Sequence, residues 1–232
     1  MPIYCKGTVC KNCIVFYGHS WKDFDEESKA DLCSITFPIR YKKRQIICME
    51  ANPVQNIYII KKGLVKTYKS LPGGKQQILS IIKKEDILNI HCLFDDFSHH
   101  SSETLVDCEL CAIDKTFLES LLKRKPKTGM IFIEFMKKKL VRSYQKIVEL
   151  GQKNGRSRIA SFIIDLSENL FDEQRNEFAL PLSRVEFAEV VGLCEETAIR
   201  ILQDFKRENL IDIYKNSISL LNLSRLQKIS EK

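Results

Sequence analysis

The chain has 232 residues, 44% of them apolar, nine cysteines and a formal charge of +7. That length holds one large domain or two small ones with real cores, and no apolar run reaches membrane-spanning length, so no membrane partner is expected. The N-terminal MPIYCKGTVCKNC has no secretory apolar segment, so a cytoplasmic location is expected, and an odd number of cysteines there argues for reduced thiols or metal ligands rather than a disulfide framework.

Residues 1–33 form a cysteine-containing segment. Cys5, Cys10 and Cys13 are spaced C-x4-C-x2-C, and Cys33 follows at a distance. Thiolates are soft ligands, and three on a short loop can wrap one metal centre if a distant cysteine completes it. Reduced, unligated cysteines are the alternative. DEESKADL, residues 25–32, reads as a short helix.

Residues 34–127 read as a β-barrel. Short apolar runs (ITFPI, RQIICM, NIYIIKKG, LVKTYKS, QQILSII, DILNIH, ELCAID) alternate with turn signals at Asn52-Pro53, Lys62-Gly63 and LPGG, the spacing of a small barrel or jelly roll. His99 and His100 lie in a polar loop, where adjacent histidines are expected to be solvated. Residues 114–125 read as a short helix ending in Lys123-Arg124-Lys125.

Residues 128–154 read as one long helix. Ile133, Met136, Leu140, Ser143, Ile147 and Leu150 follow a heptad a/d seam, the pattern of a two-stranded coiled coil and hence of a homodimer. A helix packed on its own barrel is the competing reading. The basic face Lys137, Lys138, Lys139 and Arg142 is expected to face solvent. Asn154-Gly155 reads as a hinge.

Residues 155–232 begin with a helix at 158–170 and a polar loop, then LSRVEFAEVVGLCEETAIRILQDFKREN. Ser183 and Glu186 fit a capping box, Gly192 a tight turn, and Ala198, Ile201, Leu202 and Phe205 one buried stripe of a second helix. The opposite face carries Glu196, Ile199, Arg200, Gln203 and Arg207. This is the pattern of a helix-turn-helix, with an ordinary αα corner as the alternative. LIDIYKNSISLLNL then reads as a β-wing about Lys215, and residues 224–232 as a polar tail. Net charge does not support DNA binding, because residues 155–232 carry 11 lysines and arginines against 13 acidic residues, a net of −2. The arrangement on the second helix has to carry that reading.

The whole order (cysteines, barrel, long helix, winged helix-turn-helix) resembles the CRP/FNR family of bacterial transcription regulators. The resemblance is most specific at GLCEETAIRILQDFKRENLI and in the hairpin NIYIIKKGLVKTYKS. It implies an α+β chain with a cyclic-nucleotide-binding-like jelly roll, a dimer helix and a DNA-binding domain. It implies a transcription regulator rather than an enzyme, with double-stranded DNA at a palindromic operator and RNA polymerase as partners. The DNA-facing residues it implies are Glu195, Glu196, Thr197, Ile199, Arg200 and Gln203, with Lys206, Arg207 and Lys215 as phosphate contacts. Cys194 stands where the family has a Ser or Thr cap. Glu195 replaces the arginine that reads guanine in the cAMP-type members, and Ile199 replaces the serine of the oxygen-sensing ones.

The cAMP-binding members hold the phosphate with a barrel arginine. None occurs here between Arg44 and Arg124, so cAMP is not expected to bind. The oxygen-sensing members hold a [4Fe–4S] cluster on three N-terminal cysteines and one in the barrel. That resemblance implies Cys5, Cys10, Cys13 and Cys111, with Cys108 as the neighbouring alternative, although the family spacing is x2 then x5. Other readings are a haem-bound gas or small-molecule sensor, for which His19, His91, His99 and His100 are the imidazoles, and a cysteine-ligated zinc or iron–sulfur protein without a DNA role. No nucleophile constellation, phosphate-cradling loop or paired-carboxylate signature points to an enzyme.

Overall fold

The computed structural model describes residues 13–74, 76–170 and 177–231. Two short helices come first, α1 (Ile14–Tyr17) and α2 (Glu26–Ser34). The Asp25 carboxylate accepts from the Ser28 amide at 3.0 Å and so caps α2, which places the expected helix at DEESKADL.

The barrel strands are β1 (Thr36–Tyr41), β2 (Ile46–Cys48), β3 (Asn56–Lys62), β4 (Val65–Ser70), β5 (Gln76–Ile82), β6 (Ile87–Leu88), β7 (Ser101–Thr104) and β8 (Cys108–Asp114). They make two four-stranded sheets, ordered β1-β8-β3-β6 and β2-β7-β4-β5. Antiparallel pairs such as Ile57↔Ile113 and Ile59↔Cys111 set the register. Strand alternation then sorts side chains into two cores. Ile57, Ile59, Cys111 and Ile113 face a cluster with Trp21, Leu32, Phe132 and Phe135. Tyr58, Ile60, Cys108, Leu110 and Ala112 face the other. The sheet is buried on both faces, which is why NIYIIKKG and ELCAID are nearly continuous apolar runs. Gly63 must be glycine, since at φ 104° a Cβ would lie 2.4 Å from the Cys108 sulfur.

α3 (Lys115–Arg124) leads into α4 (Gly129–Gln152). Ile131, Phe132 and Phe135 of α4 enter the first core, where Phe135 packs on Trp21 with ring centroids 4.7 Å apart. Packing divides the chain inside α4, between Val141 and Arg142. One half of α4 belongs with the barrel and the other with the C-terminal unit.

That second unit contains α5 (Gly155–Leu170), β9 (Glu177–Ala179), α6 (Arg184–Val191), α7 (Glu195–Arg207), β10 (Ile211–Tyr214), β11 (Ser217–Leu220) and α8 (Leu223–Ser230). Asn154 closes the break between α4 and α5, its side chain accepting from the Ser157 amide at 3.0 Å. Two sequence expectations are corrected here. Glu177 and Phe178, expected as the end of a polar loop, form with Ala179 a third wing strand, pairing Phe178 with Ile218. The polar tail is α8, capped by Asn222 and anchored by the fully buried Leu226.

Candidate nucleic-acid interface

The helix-turn-helix is specified residue by residue. The Ser183 hydroxyl accepts from the Glu186 amide at 3.2 Å, while the Glu186 carboxylate accepts from the Ser183 amide at 2.8 Å, closing the expected capping box. At the other end of α6, Gly192 is left-handed at φ 64°. The Leu193 amide donates to the Ala188 carbonyl at 3.0 Å and the Gly192 amide to Glu189 at 3.3 Å, a Schellman ending. A Cβ at Gly192 would meet Leu150 Cδ2 at 2.7 Å and Arg158 at 3.0 Å.

Two cations that sequence reasoning did not single out hold this turn. Lys146, on α4, donates to the Val190 carbonyl at 2.8 Å. Arg158, on α5, donates to the Gly192 carbonyl at 3.1 Å. Both sit at the negative end of α6, where cations are stabilising. Burial pushes the Lys146 pKa down.

α7 buries Ala198, Ile201, Leu202 and Phe205. This leaves Glu195, Glu196, Arg200 and Gln203 exposed, with Thr197 and Ile199 half-buried at the edge. The helix ends in a second Schellman motif, with Asn209 left-handed at φ 54° and the Leu210 amide on the Phe205 carbonyl at 2.9 Å. Its beginning is weaker. Cys194 makes no cap to a backbone amide; its sulfur instead meets the Thr197 hydroxyl at 3.0 Å, which lowers the thiol pKa.

The phosphate candidates differ in their surroundings. Lys206 pairs with Asp212 at 2.7 Å and donates to the Ile213 carbonyl, so it ties α7 to the wing. Arg207 pairs with Asp204 on its own helix. Lys215 sits exposed at the wing turn with left-handed backbone, φ 53°, its ammonium 5.3 Å from the Tyr214 ring centre.

Along α4, Ile133, Leu140, Ile147 and Leu150 of the expected seam are exposed, as are Ser143 and the neighbouring Val141, Tyr144 and Val148. Met136 is half-buried against the barrel-side core. The expectation of a fully solvated basic face is corrected at Lys139, which is largely shielded from solvent. Burial lowers its pKa, and it couples to Cys92, His91 and His100.

His100 is likewise not solvated, being only 6% exposed. The His91 and His100 rings lie against each other with centres 4.6 Å apart, tilted by 53°. Burial, then the Lys139 charge, depress their pKa values to about 3 and about 4. His91 Nε2, both ring nitrogens of His100, both amide atoms of Asn89 and the Ser102 hydroxyl are buried with no hydrogen-bond partner among the described residues. His99, by contrast, is exposed and pairs with Asp95 at 2.9 Å.

Of the expected metal ligands, Cys5 and Cys10 lie outside the described residues. Cys13 and Cys111 line the same apolar core. Cys33, which was not among the expected ligands, brings its sulfur to 3.5 Å from that of Cys13. Cys108 lies three residues from Cys111 on β8, hence on the opposite face, with its thiol directed at the Leu64 and Val106 carbonyls. Among the described residues no three histidine, cysteine or acidic side chains are placed to hold one metal ion.

Residues 38–125 match the cyclic nucleotide-binding domain family, and residues 157–229 the Crp-like helix-turn-helix domain family. The transcriptional regulatory protein btr of Bordetella pertussis is 25% identical over 193 residues, covering 82% of this chain and 80% of that protein. The fumarate and nitrate reduction regulatory protein of Vibrio cholerae is 23% identical over 191 residues, 82% of this chain and 76% of its own length. Among solved structures, FixK2 from Bradyrhizobium japonicum superposes with a TM-score of 0.77 at 22% identity, over 84% of this chain and 97% of that one.

Proposed function

From the premise that this chain belongs to the CRP/FNR family of transcription regulators, we propose that it reads a palindromic operator as a homodimer, through Glu196, Ile199 and Arg200 of α7. That it is a DNA-binding transcription regulator with a helix-turn-helix follows from the family. One observation carries the residue assignment. On a helix fixed by four buried side chains, Glu196, Arg200 and Gln203 stand exposed together, three to four residues apart. Arg200 donates a bidentate pair to guanine O6 and N7, Glu196 accepts from cytosine N4, and Ile199 packs on a thymine methyl. Glu195 and Thr197 border that face. Lys206, Arg207 and Lys215 contact phosphates, which position without specifying. Two copies, joined along the exposed stripe of α4, present two such helices about one DNA turn apart. RNA polymerase is the further partner.

Arg200→Ala tests the assignment. Operator affinity is expected to fall by about 1–3 kcal/mol, roughly five- to 150-fold, with discrimination lost at one G·C pair. Unchanged binding and unchanged base preference, measured by titration against single-position operator variants, sink it.

For the signal, the reading supported by resemblance is a [4Fe–4S] cluster on Cys5, Cys10, Cys13 and Cys111. Cys13 and Cys111 both line one apolar core, so two of the four cysteines implied by the resemblance share a side of the barrel unit. When bound, such a cluster would supply sensitivity to oxidants. Anaerobically purified protein is expected to carry about four irons and matching sulfide per chain; iron-free, colourless protein overturns this reading. A second reading, a small effector in the barrel, is favoured by the unpartnered polar atoms of Asn89, His91, His100 and Ser102. Such atoms are costly unless something pairs with them. The barrel has no arginine between Arg44 and Arg124, so this effector is not cAMP.

A further inference from the structure

Cys13 precedes α1 and Cys33 lies in the last turn of α2. Both are buried, at 7% and 8% exposure, and their sulfurs are 3.5 Å apart. Cys48, Cys92, Cys108 and Cys194 meet carbonyl or hydroxyl oxygens instead. The pair is bedded among Ile14, Val15 and Leu32, in the same core as Phe132 and Phe135 of α4. A disulfide needs the sulfurs at about 2.05 Å, about 1.5 Å closer than they lie here.

We propose that Cys13 and Cys33 form a redox modification site, a dithiol converted by peroxide to an intramolecular disulfide. One sulfur attacks a peroxide oxygen; the O–O bond breaks, water leaves, and a sulfenic acid forms. The second sulfur attacks that sulfenic sulfur; the S–O bond breaks, the S–S bond forms, and a second water leaves. The two thiols lose two protons and two electrons, and one hydrogen peroxide becomes two waters. Burial at this site disfavours bulky disulfide oxidants, which leaves a small oxidant such as hydrogen peroxide as the reagent of the proposal. The crosslink ties α1 to α2 beside the seat of α4.

The test treats the full-length purified chain with hydrogen peroxide, blocks remaining thiols, digests without reductant and maps crosslinks by mass spectrometry. The expected product is a Cys13–Cys33 crosslink, reversed by dithiothreitol. It should be absent in Cys33→Ser, where Cys13 is instead trapped by a sulfenic-acid reagent. The wild-type map stands even if that variant folds poorly. Recovery of both cysteines as free thiols after peroxide, or of Cys13 joined to another cysteine, overturns the proposal. Iron and sulfide are counted on the same preparation, so the two readings fail separately. A crosslink without iron supports the pair and removes the cluster, whereas iron without a crosslink supports the cluster and overturns the pair.

Discussion

Cys194 and Gly192 show how two residues divide the work of placing the recognition helix. A thiol in place of a Ser or Thr cap costs about 1 kcal/mol at the start of α7. At that position the sulfur meets the Thr197 hydroxyl and makes no regular cap. The end of α6 is held more heavily than usual: a Schellman turn, the Lys146 ammonium on Val190 and the Arg158 guanidinium on Gly192 all act there. The turn between the helices therefore fixes α7 from its α6 side, and Leu150 closes on the space a Cβ at Gly192 would need. Arg200 and Glu196 were legible in the sequence because helical period alone puts them opposite Ala198, Ile201, Leu202 and Phe205. Lys146 was not, since a lysine on a mostly polar stretch of a long helix looks solvated until a carbonyl is placed beside it. His100 was misread for the same reason: a histidine in a polar loop is buried only because the loop folds back toward α4.

At the scale of elements, α4 is the decisive case. Its first turns are anchored by Ile131, Phe132 and Phe135, while Leu140, Tyr144 and Ile147 stay exposed, Ile147 by 66%. That stripe is the surface the proposed dimer would bury. Burying an aliphatic side chain is worth about 1.5–3 kcal/mol, so losing one on each of two facing helices removes about 3–6 kcal/mol. Ile147→Asp is thus expected to weaken self-association at least a hundredfold and operator binding with it, while leaving the monomer folded. Light scattering and circular dichroism check the two halves of that statement, and a variant that remains dimeric removes the stripe as the interface. The heptad spacing marked Ile133, Leu140, Ser143, Ile147 and Leu150, which do lie exposed, whereas Met136 turns toward the barrel-side core. Strand β9 and helix α8 were not readable. β9 is three residues long and exists through pairing with β11, and α8 offers only Leu226 as a fully buried anchor. Elements held by tertiary pairing leave little periodic trace.

For the whole molecule, charge is distributed against the simplest expectation for a DNA-binding protein. Residues 155–232 carry a net of −2, so the rest of the chain carries +9 to give the total of +7. A slightly acidic domain gains little from long-range attraction to DNA, so the proposed phosphate contacts fall to local cations. Two of these are already paired, Lys206 with Asp212 and Arg207 with Asp204. Exposed pairs of this kind are worth about 0–1 kcal/mol, so phosphates displace them at little cost. Lys215, carried out on the wing turn, has no such exchange to make in either its ring contact or its backbone position. Each phosphate contact contributes about −0.9 to the slope of log K against log salt. Lys215→Ala is therefore expected to flatten that slope by about 0.9 per half-site, close to two for a dimer. The affinity loss should be equal on the operator and on unrelated DNA. Arg200→Ala, by contrast, changes the ratio between them. Salt titrations of both variants on both DNAs separate the roles. An unchanged slope for Lys215→Ala removes the wing from the backbone contacts, and a loss confined to the operator makes Lys215 a reader of bases instead.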